Sequence, residues 1–233
     1  MLPDPQPLIS RLHTLIVGDQ AVEDLRRYFG IGQPPGAVSF TGRRFEHLTG
    51  GGDRPEAANA VTADDLIAVQ TLSVTIPAEA ALDLLEGQLG AKLSALLHEI
   101  PNHVDMAEAD AADLASGSPA DASWRLLTGQ PGIGWVTAGK LLARKRPRLL
   151  PVYDQVVRCV LGRPASFWLD LHAALRADDR ALHHELVALR RSARIPETVS
   201  ALRICDVVLW MRHRAEHRTA DCIGQGHPLL GSG

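Results

Sequence analysis

Apolar residues recur along most of this chain at intervals of three and four, the spacing that places them on one face of an α-helix. The clearest run covers residues 78–99 and contains Leu82, Leu85, Leu89, Leu93, Leu96 and Leu97. Similar runs cover 6–29, 155–161, 166–177, 179–193 and 197–217. Alternation with a period of two, which half-buried strands require, is almost missing. The pattern predicts a mainly α fold.

Local signals support this interpretation at the start of one helix. Thr62 is a residue type that caps helix N-termini, and Asp64 and Asp65 follow it in the first turn, where the helix dipole favours acidic side chains. The sequence therefore predicts that a helix begins directly after Thr62.

The composition is typical of a globular chain. Of its 233 residues, 45% are hydrophobic and 22% are charged, enough for one large core or two small ones. The N-terminus lacks the features of a signal peptide, and no segment approaches 18 uninterrupted apolar residues, so we expect no export and no membrane span. Cys159, Cys205 and Cys222 are far apart, which argues against a disulfide framework and favours a cytoplasmic protein.

Charge is distributed unevenly along the chain, although the net charge is only −3. Residues 1–121 hold 7 Lys and Arg against 18 Asp and Glu, a balance of −11, whereas residues 122–218 hold 17 against 8, a balance of +9. This predicts an acidic, mainly helical N-terminal half, a basic half and a tail at 219–233. Either the basic half faces a polyanion, or the acidic half docks on the basic half.

One segment, residues 131–154, indicates a particular chemistry. It reads PGIGWVTAGKLLARKRPRLLPVYD, with helices predicted at 124–128 before its glycines and at 137–144 after them. Gly132 and Gly134 can adopt the positive φ that a tight turn between helices needs. The free N–H groups at the start of the second helix suit a phosphate. The alternative is an ordinary glycine-rich turn between two helices.

This segment resembles the helix-hairpin-helix DNA glycosylase superfamily over about residues 124–160. Thr137 to Asp154 spans 18 residues, the separation usual in that family. The resemblance implies a helix-hairpin-helix DNA-glycosylase-like helical fold with an additional N-terminal helical region. The whole chain also looks like an uncharacterised bacterial protein family, and that likeness implies no function.

The resemblance implies double-stranded DNA as the partner, bound through main-chain N–H groups that contact phosphates without reading base sequence. It also implies that carbonyl groups near the turn hold a monovalent cation. The predicted DNA-binding residues are Gly132, Ile133, Gly134, Trp135, Thr137, Lys140, Arg144, Lys145 and Arg146. The last three lie just past the second helix, where they would meet either phosphates or the negative end of a helix dipole.

Asp154 is the predicted catalytic residue. Cleavage of an N-glycosidic bond builds positive charge on the sugar, and a carboxylate nearby stabilises that charge. At about 4 Å and an effective dielectric near 20, the attraction is roughly 4 kcal/mol, close to a thousandfold in rate. The alternative is that Asp154 only caps the helix that begins at Gln155.

Bifunctional members of the superfamily carry a lysine two residues after the second hairpin glycine, where this chain has Val136. Schiff-base chemistry from that position is therefore excluded, and Lys140 is expected to point elsewhere. The resemblance then implies a monofunctional glycosylase, a hydrolase of base excision repair. The alternatives are a non-catalytic DNA-binding module and a helical protein-interaction protein.

Two further groups of ionisable residues are expected to be structural. His213 and His217 share a helix face, but the only nearby acidic residue, Glu216, points off that face, so we expect a surface pair and no metal site. Asp206 lies in an apolar stretch close to Arg203, which predicts an internal ion pair.

Overall fold

The computed structural model describes residues 6–34, 36–37, 40–161 and 166–218, and every regular element in these ranges is helical. The longer helices are α1 (Gln6–Ile16), α2 (Asp19–Phe29), α3 (Ala63–Gln70), α4 (Ala78–Glu86), α5 (Gln88–Glu99), α6 (Pro119–Thr128), α7 (Trp135–Lys145), α8 (Gln155–Val160), α9 (Phe167–Ser192) and α10 (Ala201–His213). Short 3₁₀ turns occupy Thr41–Arg44, Leu48–Gly50, Ala111–Leu114 and Glu216–Arg218. The mainly α prediction is confirmed, whereas the more specific glycosylase-like fold stays a prediction.

Side-chain caps explain where several helices begin. The Thr62 hydroxyl accepts a bond from the Asp65 N–H, and the Asp65 carboxylate accepts one from the Thr62 N–H, a reciprocal capping box. Ser118, Asp154 and Ser200 cap α6, α8 and α10 in the same general way. Each of these side chains accepts a bond from an N–H group that has no intrahelical acceptor.

Two of the long helical runs are interrupted. The single helix expected at 78–99 is divided at Gly87 into α4 and α5, because the Asp83 carboxylate accepts a bond from the Leu89 N–H at 3.1 Å and caps the second helix. Helix α9 has left-handed backbone at Asp178, with φ 49°, and at the two residues that follow. That break agrees with the two helices predicted at 166–177 and 179–193.

A single hydrophobic core joins the two halves of the chain. Helix α1 packs on α9 and α10, α2 packs on the same two helices, and α3 packs on α7. The buried apolar side chains form one cluster that extends from Leu8 to Met211. The change of charge near residue 121 is therefore not a gap in the core. Within the described ranges, none of the helices has the length and apolarity needed to cross a bilayer.

Candidate functional site

Helices α6 and α7 pack together and are joined by a turn at residues 129–134, as the sequence predicts. Gly132 has φ 77°, and a Cβ there would lie 2.5 Å from Pro77 Cγ, so the turn requires glycine. Gly134 precedes α7 and is exposed, like Gly132, whereas Ile133 is buried and anchors the turn. The turn thus presents main chain, not side chains, at the surface.

The predicted DNA-binding residues do not form one surface. Trp135 is partly exposed, but Thr137 and Lys140 are buried. Arg144, Lys145 and Arg146 are at most 1% exposed, and their charged ends bond to the protein itself. The structure therefore corrects the prediction that these three cations contact DNA.

The charged ends of Arg144 and Lys145 meet at one carboxylate. Arg144 Nε donates to Asp65 Oδ1 at 3.0 Å, and Lys145 Nζ donates to Asp65 Oδ2 at 2.8 Å. Main-chain carbonyl groups accept their remaining bonds, namely those of Phe45, Leu48 and Ala57. All three charged side chains are fully buried, and burial lowers the pKa of Lys145 while Asp65 raises it.

Arg146 lies against the C-terminal end of α5, where the helix dipole is negative. Its Nε donates to the Ile100 carbonyl at 3.0 Å, and another nitrogen donates to the Leu97 carbonyl. Ala58 O and Asn59 Oδ1 each accept a further bond at 2.7 Å. Burial lowers the pKa of Arg146 to about 10. Arg146 thus contacts carbonyl groups at a helix end, although the helix is α5 and not α7, whereas Arg144 and Lys145 pair with Asp65.

Asp154 is held rigidly at the start of α8. Its Oδ1 accepts bonds from the N–H groups of Val156 and Val157 at 3.0 and 3.1 Å, and the side chain is 16% exposed. The capping role is therefore confirmed. Its Oδ2 lies 3.5 Å from Lys140 Nζ, which also donates to the Leu72 carbonyl at 2.9 Å. The expectation that Lys140 points elsewhere is wrong, because the fold packs α7 beside the start of α8.

Lys140 and Asp154 line a cleft of about 410 Å³. One wall is aromatic: the Tyr28 and Phe40 rings stack with centroids 5.1 Å apart, and Trp210 meets Phe40 edge-on at 5.7 Å. The Arg214 guanidinium lies over the rings of Phe40 and Trp210, at 4.8 and 5.0 Å. The cleft therefore combines flat apolar surfaces with fixed charges, a combination typical of small-molecule or base pockets.

The same cleft contains the Arg203 and Asp206 pair predicted from the sequence. Arg203 donates to Asp206 Oδ2, to the Tyr28 hydroxyl and to the Gly42 carbonyl, so the ion pair is confirmed. Burial raises the pKa of Asp206 to about 7, against the opposing effect of Arg203. Its buried Oδ1 has no hydrogen-bond partner within the described part of the chain. The sequence gives one signal that Asp206 is unusual, because its carboxylate lies in an otherwise apolar helical run.

A second recess, of about 510 Å³, adjoins the hairpin. The Arg158 guanidinium lies 5.4 Å from the Trp135 ring centroid in its wall. The other aromatic residues that line it are Trp124, Tyr153, Phe167 and Trp168. Arg158 is thus a partly exposed cation near the turn, which the sequence reasoning did not single out.

A third side chain with a ligand atom lies beside His213 and His217, and the sequence pattern did not indicate it. Helix α8 brings Cys159 to them: its Sγ lies 2.9 Å from His213 Nε2. The ligand atoms of these three residues all lie within 4.8 Å of one another. No local signal in the sequence connects Cys159 with His213, because they are 54 residues apart.

The fold and the site define an α-helical protein with one core, in which the helix after an exposed glycine turn contributes Lys140 to an aromatic-lined cleft. The chain belongs to the family of unknown function DUF6308, which matches residues 21–213. The match includes the hairpin, Asp154 and most of the cleft wall. No significant match is found among curated proteins or among solved structures.

Proposed function

We propose that this protein is a monofunctional DNA N-glycosylase that removes a damaged or modified base from double-stranded DNA by hydrolysis. The observation that carries the proposal is the Asp154 carboxylate, fixed by two main-chain N–H groups in the wall of a cleft. The resemblance of residues 124–160 to helix-hairpin-helix glycosylases supports it. Under this proposal the hairpin binds the sugar-phosphate strand, with a monovalent cation at its carbonyl groups.

Asp154 stabilises the positive charge that develops on the sugar and orients the attacking water. Its two cap bonds hold Oδ1, so the carboxylate does not have to reorganise during the reaction. Lys140 Nζ lies 3.5 Å from Oδ2 and pairs with it. Val136 offers no amine at the position of the bifunctional lysine, so water is the nucleophile.

The target base must leave the duplex to reach this carboxylate. The cleft would receive it against the wall formed by Tyr28, Phe40 and Trp210, whose aromatic surfaces suit contact with a base. Asp206 also lines the cleft, where it is paired with Arg203.

Burial of the three cations limits how strongly the protein binds phosphates. DNA contact then depends on the N–H groups at the start of α7 and on partly exposed cations such as Arg158. Because log K falls with log salt by roughly 0.9 for each neutralised phosphate, a shallow salt dependence is expected. The acidic N-terminal half further disfavours a large positively charged surface for binding DNA.

The test compares wild type with Asp154→Asn on duplexes that carry a panel of altered bases, followed by alkaline cleavage of abasic sites. Asparagine caps helices as well as aspartate does, so the variant keeps the cap while it loses the charge. We expect alkali-dependent strand breaks with wild type and a loss of about a hundredfold or more in Asp154→Asn. Asp170→Asn, a partly exposed position in the first turn of α9, is the matched control and keeps full activity.

Each other outcome has a definite meaning. Breaks that appear without alkali contradict the monofunctional mechanism. If no panel duplex is cleaved but all are bound, the protein is a DNA-binding module in which Asp154 serves only as the cap seen here. If no duplex is bound, the DNA proposal as a whole is wrong.

A further inference from the structure

Three side chains that can ligate a transition metal converge at the junction of α8 and α10. Cys159 lies on α8, His213 is the last residue of α10, and His217 lies in the following 3₁₀ turn. Their ligand atoms are within 4.8 Å of one another, and all three residues are partly exposed. We call this group the Cys–His cluster.

The hydrogen bonds of His213 indicate which ring nitrogen is available. Its Nδ1 lies 3.1 Å from Glu216 Oε2, and an ionised carboxylate only accepts, so Nδ1 is the donor. In the neutral ring Nε2 is then the acceptor, and this is the atom 2.9 Å from Cys159 Sγ. A carboxylate that fixes the tautomer of a histidine in this way is the usual outer partner of a metal-bound imidazole.

We propose that the Cys–His cluster binds one Zn²⁺ ion per chain through Cys159 Sγ, His213 Nε2 and one imidazole nitrogen of His217. One thiolate and two imidazoles form a ligand set that suits zinc, and hard cations such as Mg²⁺ prefer oxygen ligands. On binding, the Cys159 S–H bond breaks and its proton passes to solvent, while sulfur and nitrogen lone pairs form the bonds to the metal.

The observed spacing is close to what the ion requires. With Zn–S near 2.3 Å, Zn–N near 2.1 Å and tetrahedral angles, sulfur and nitrogen stand roughly 3.6 Å apart. Cys159 Sγ and His213 Nε2 therefore need to separate by roughly 0.7 Å, which small side-chain rotations provide. Because His217 also lines the cleft, the Cys–His cluster lies near its rim.

The experiment measures metal binding without DNA, so its outcome is independent of the glycosylase proposal. The metal-free full-length protein is titrated with Co²⁺, whose thiolate charge-transfer absorption reports a Cys ligand, and the bound Co²⁺ is then displaced with Zn²⁺. We expect one equivalent to bind with the thiolate band, and Zn²⁺ to raise the Tm. Cys159→Ser abolishes the band, and His213→Gln and His217→Gln each weaken binding by tenfold or more.

Matched variants separate this site from others in the chain. His183 and His184 also have ring centroids 5.9 Å apart, the same distance as His213 and His217. Replacing both with glutamine leaves the stoichiometry and affinity unchanged. Cys205→Ser keeps the band, since Cys205 is buried and burial raises its pKa to about 12.

The Glu216→Gln variant tests whether Glu216 only orients the His213 ring or binds the metal itself. It keeps the band and the stoichiometry, and we expect about tenfold weaker binding. Far-UV circular dichroism checks that each variant is folded. The proposal is overturned if wild type binds no metal, if the thiolate band survives Cys159→Ser, or if the His183 and His184 variant loses the ion.

Discussion

Asp65 shows how much a single buried side chain determines in this protein. Its carboxylate neutralises Arg144 and Lys145, and it also completes the capping box with Thr62. Two cations share this one carboxylate, so the remaining positive charge is balanced by carbonyl dipoles. Removal of either the carboxylate or one of the two cations should lower the stability of the fold, because a buried charge without its partner is strongly unfavourable.

Replacement of Asp65 by asparagine is therefore expected to destabilise the fold by about 3 to 5 kcal/mol. Asp64 is the matched control, because it is adjacent in the same turn but lies 40% exposed beside Arg54. Its replacement by asparagine should cost less than about 1 kcal/mol. Urea denaturation of wild type and the two variants measures the difference in unfolding free energy. Equal midpoints for the two variants would show that Asp65 does not stabilise the buried cations.

At the scale of single elements, α7 serves three different purposes along its length. Its start adjoins the exposed glycine turn, its middle places Lys140 in the cleft, and its end carries the buried cations. The sequence predicted the position of this helix to within two residues, because helical spacing and glycine turns are local signals. It did not predict which face is buried at the C-terminal end, where charged residues are in the core.

The glycines around α7 allow a test of this description. Gly139 lies inside the helix with open space around its Cβ position, so Gly139→Ala should stabilise the protein by about 0.5 to 1 kcal/mol. Gly132→Ala should instead destabilise it, because its φ is positive and Pro77 fills the space. Thermal unfolding of both variants is the measurement. If both substitutions shift Tm in the same direction, the turn is not packed as described.

On the scale of the whole molecule, the acidic and basic halves share one hydrophobic core. Asp65 and the carbonyl groups of residues 45–100 provide the acceptors that the cations of α7 need. Pairs such as Arg148 with Asp105 and Arg212 with Asp24 connect the halves in other places. The charge asymmetry is therefore matched within the chain, which is the second of the two interpretations that the sequence allowed.

We expect residues 122–218 expressed alone to be unfolded, because Arg144, Lys145 and Arg146 would lose their acceptors and the core would be halved. The full chain should unfold in one transition when followed by both far-UV circular dichroism and tryptophan fluorescence. A cooperative transition in the isolated fragment would instead establish a separate C-terminal domain.

The amino-acid sequence by itself determined the helices, the caps at Thr62 and Asp154, and the glycine turn between α6 and α7. These features depend on neighbours within a few residues, and so the sequence pattern is sufficient to predict them. Only the tertiary structure determined which partners the buried cations and the Cys159 thiol contact. Arg144 finds Asp65 across 79 residues, and Cys159 meets His213 across 54. Such partners depend on how helices pack, which local patterns do not encode.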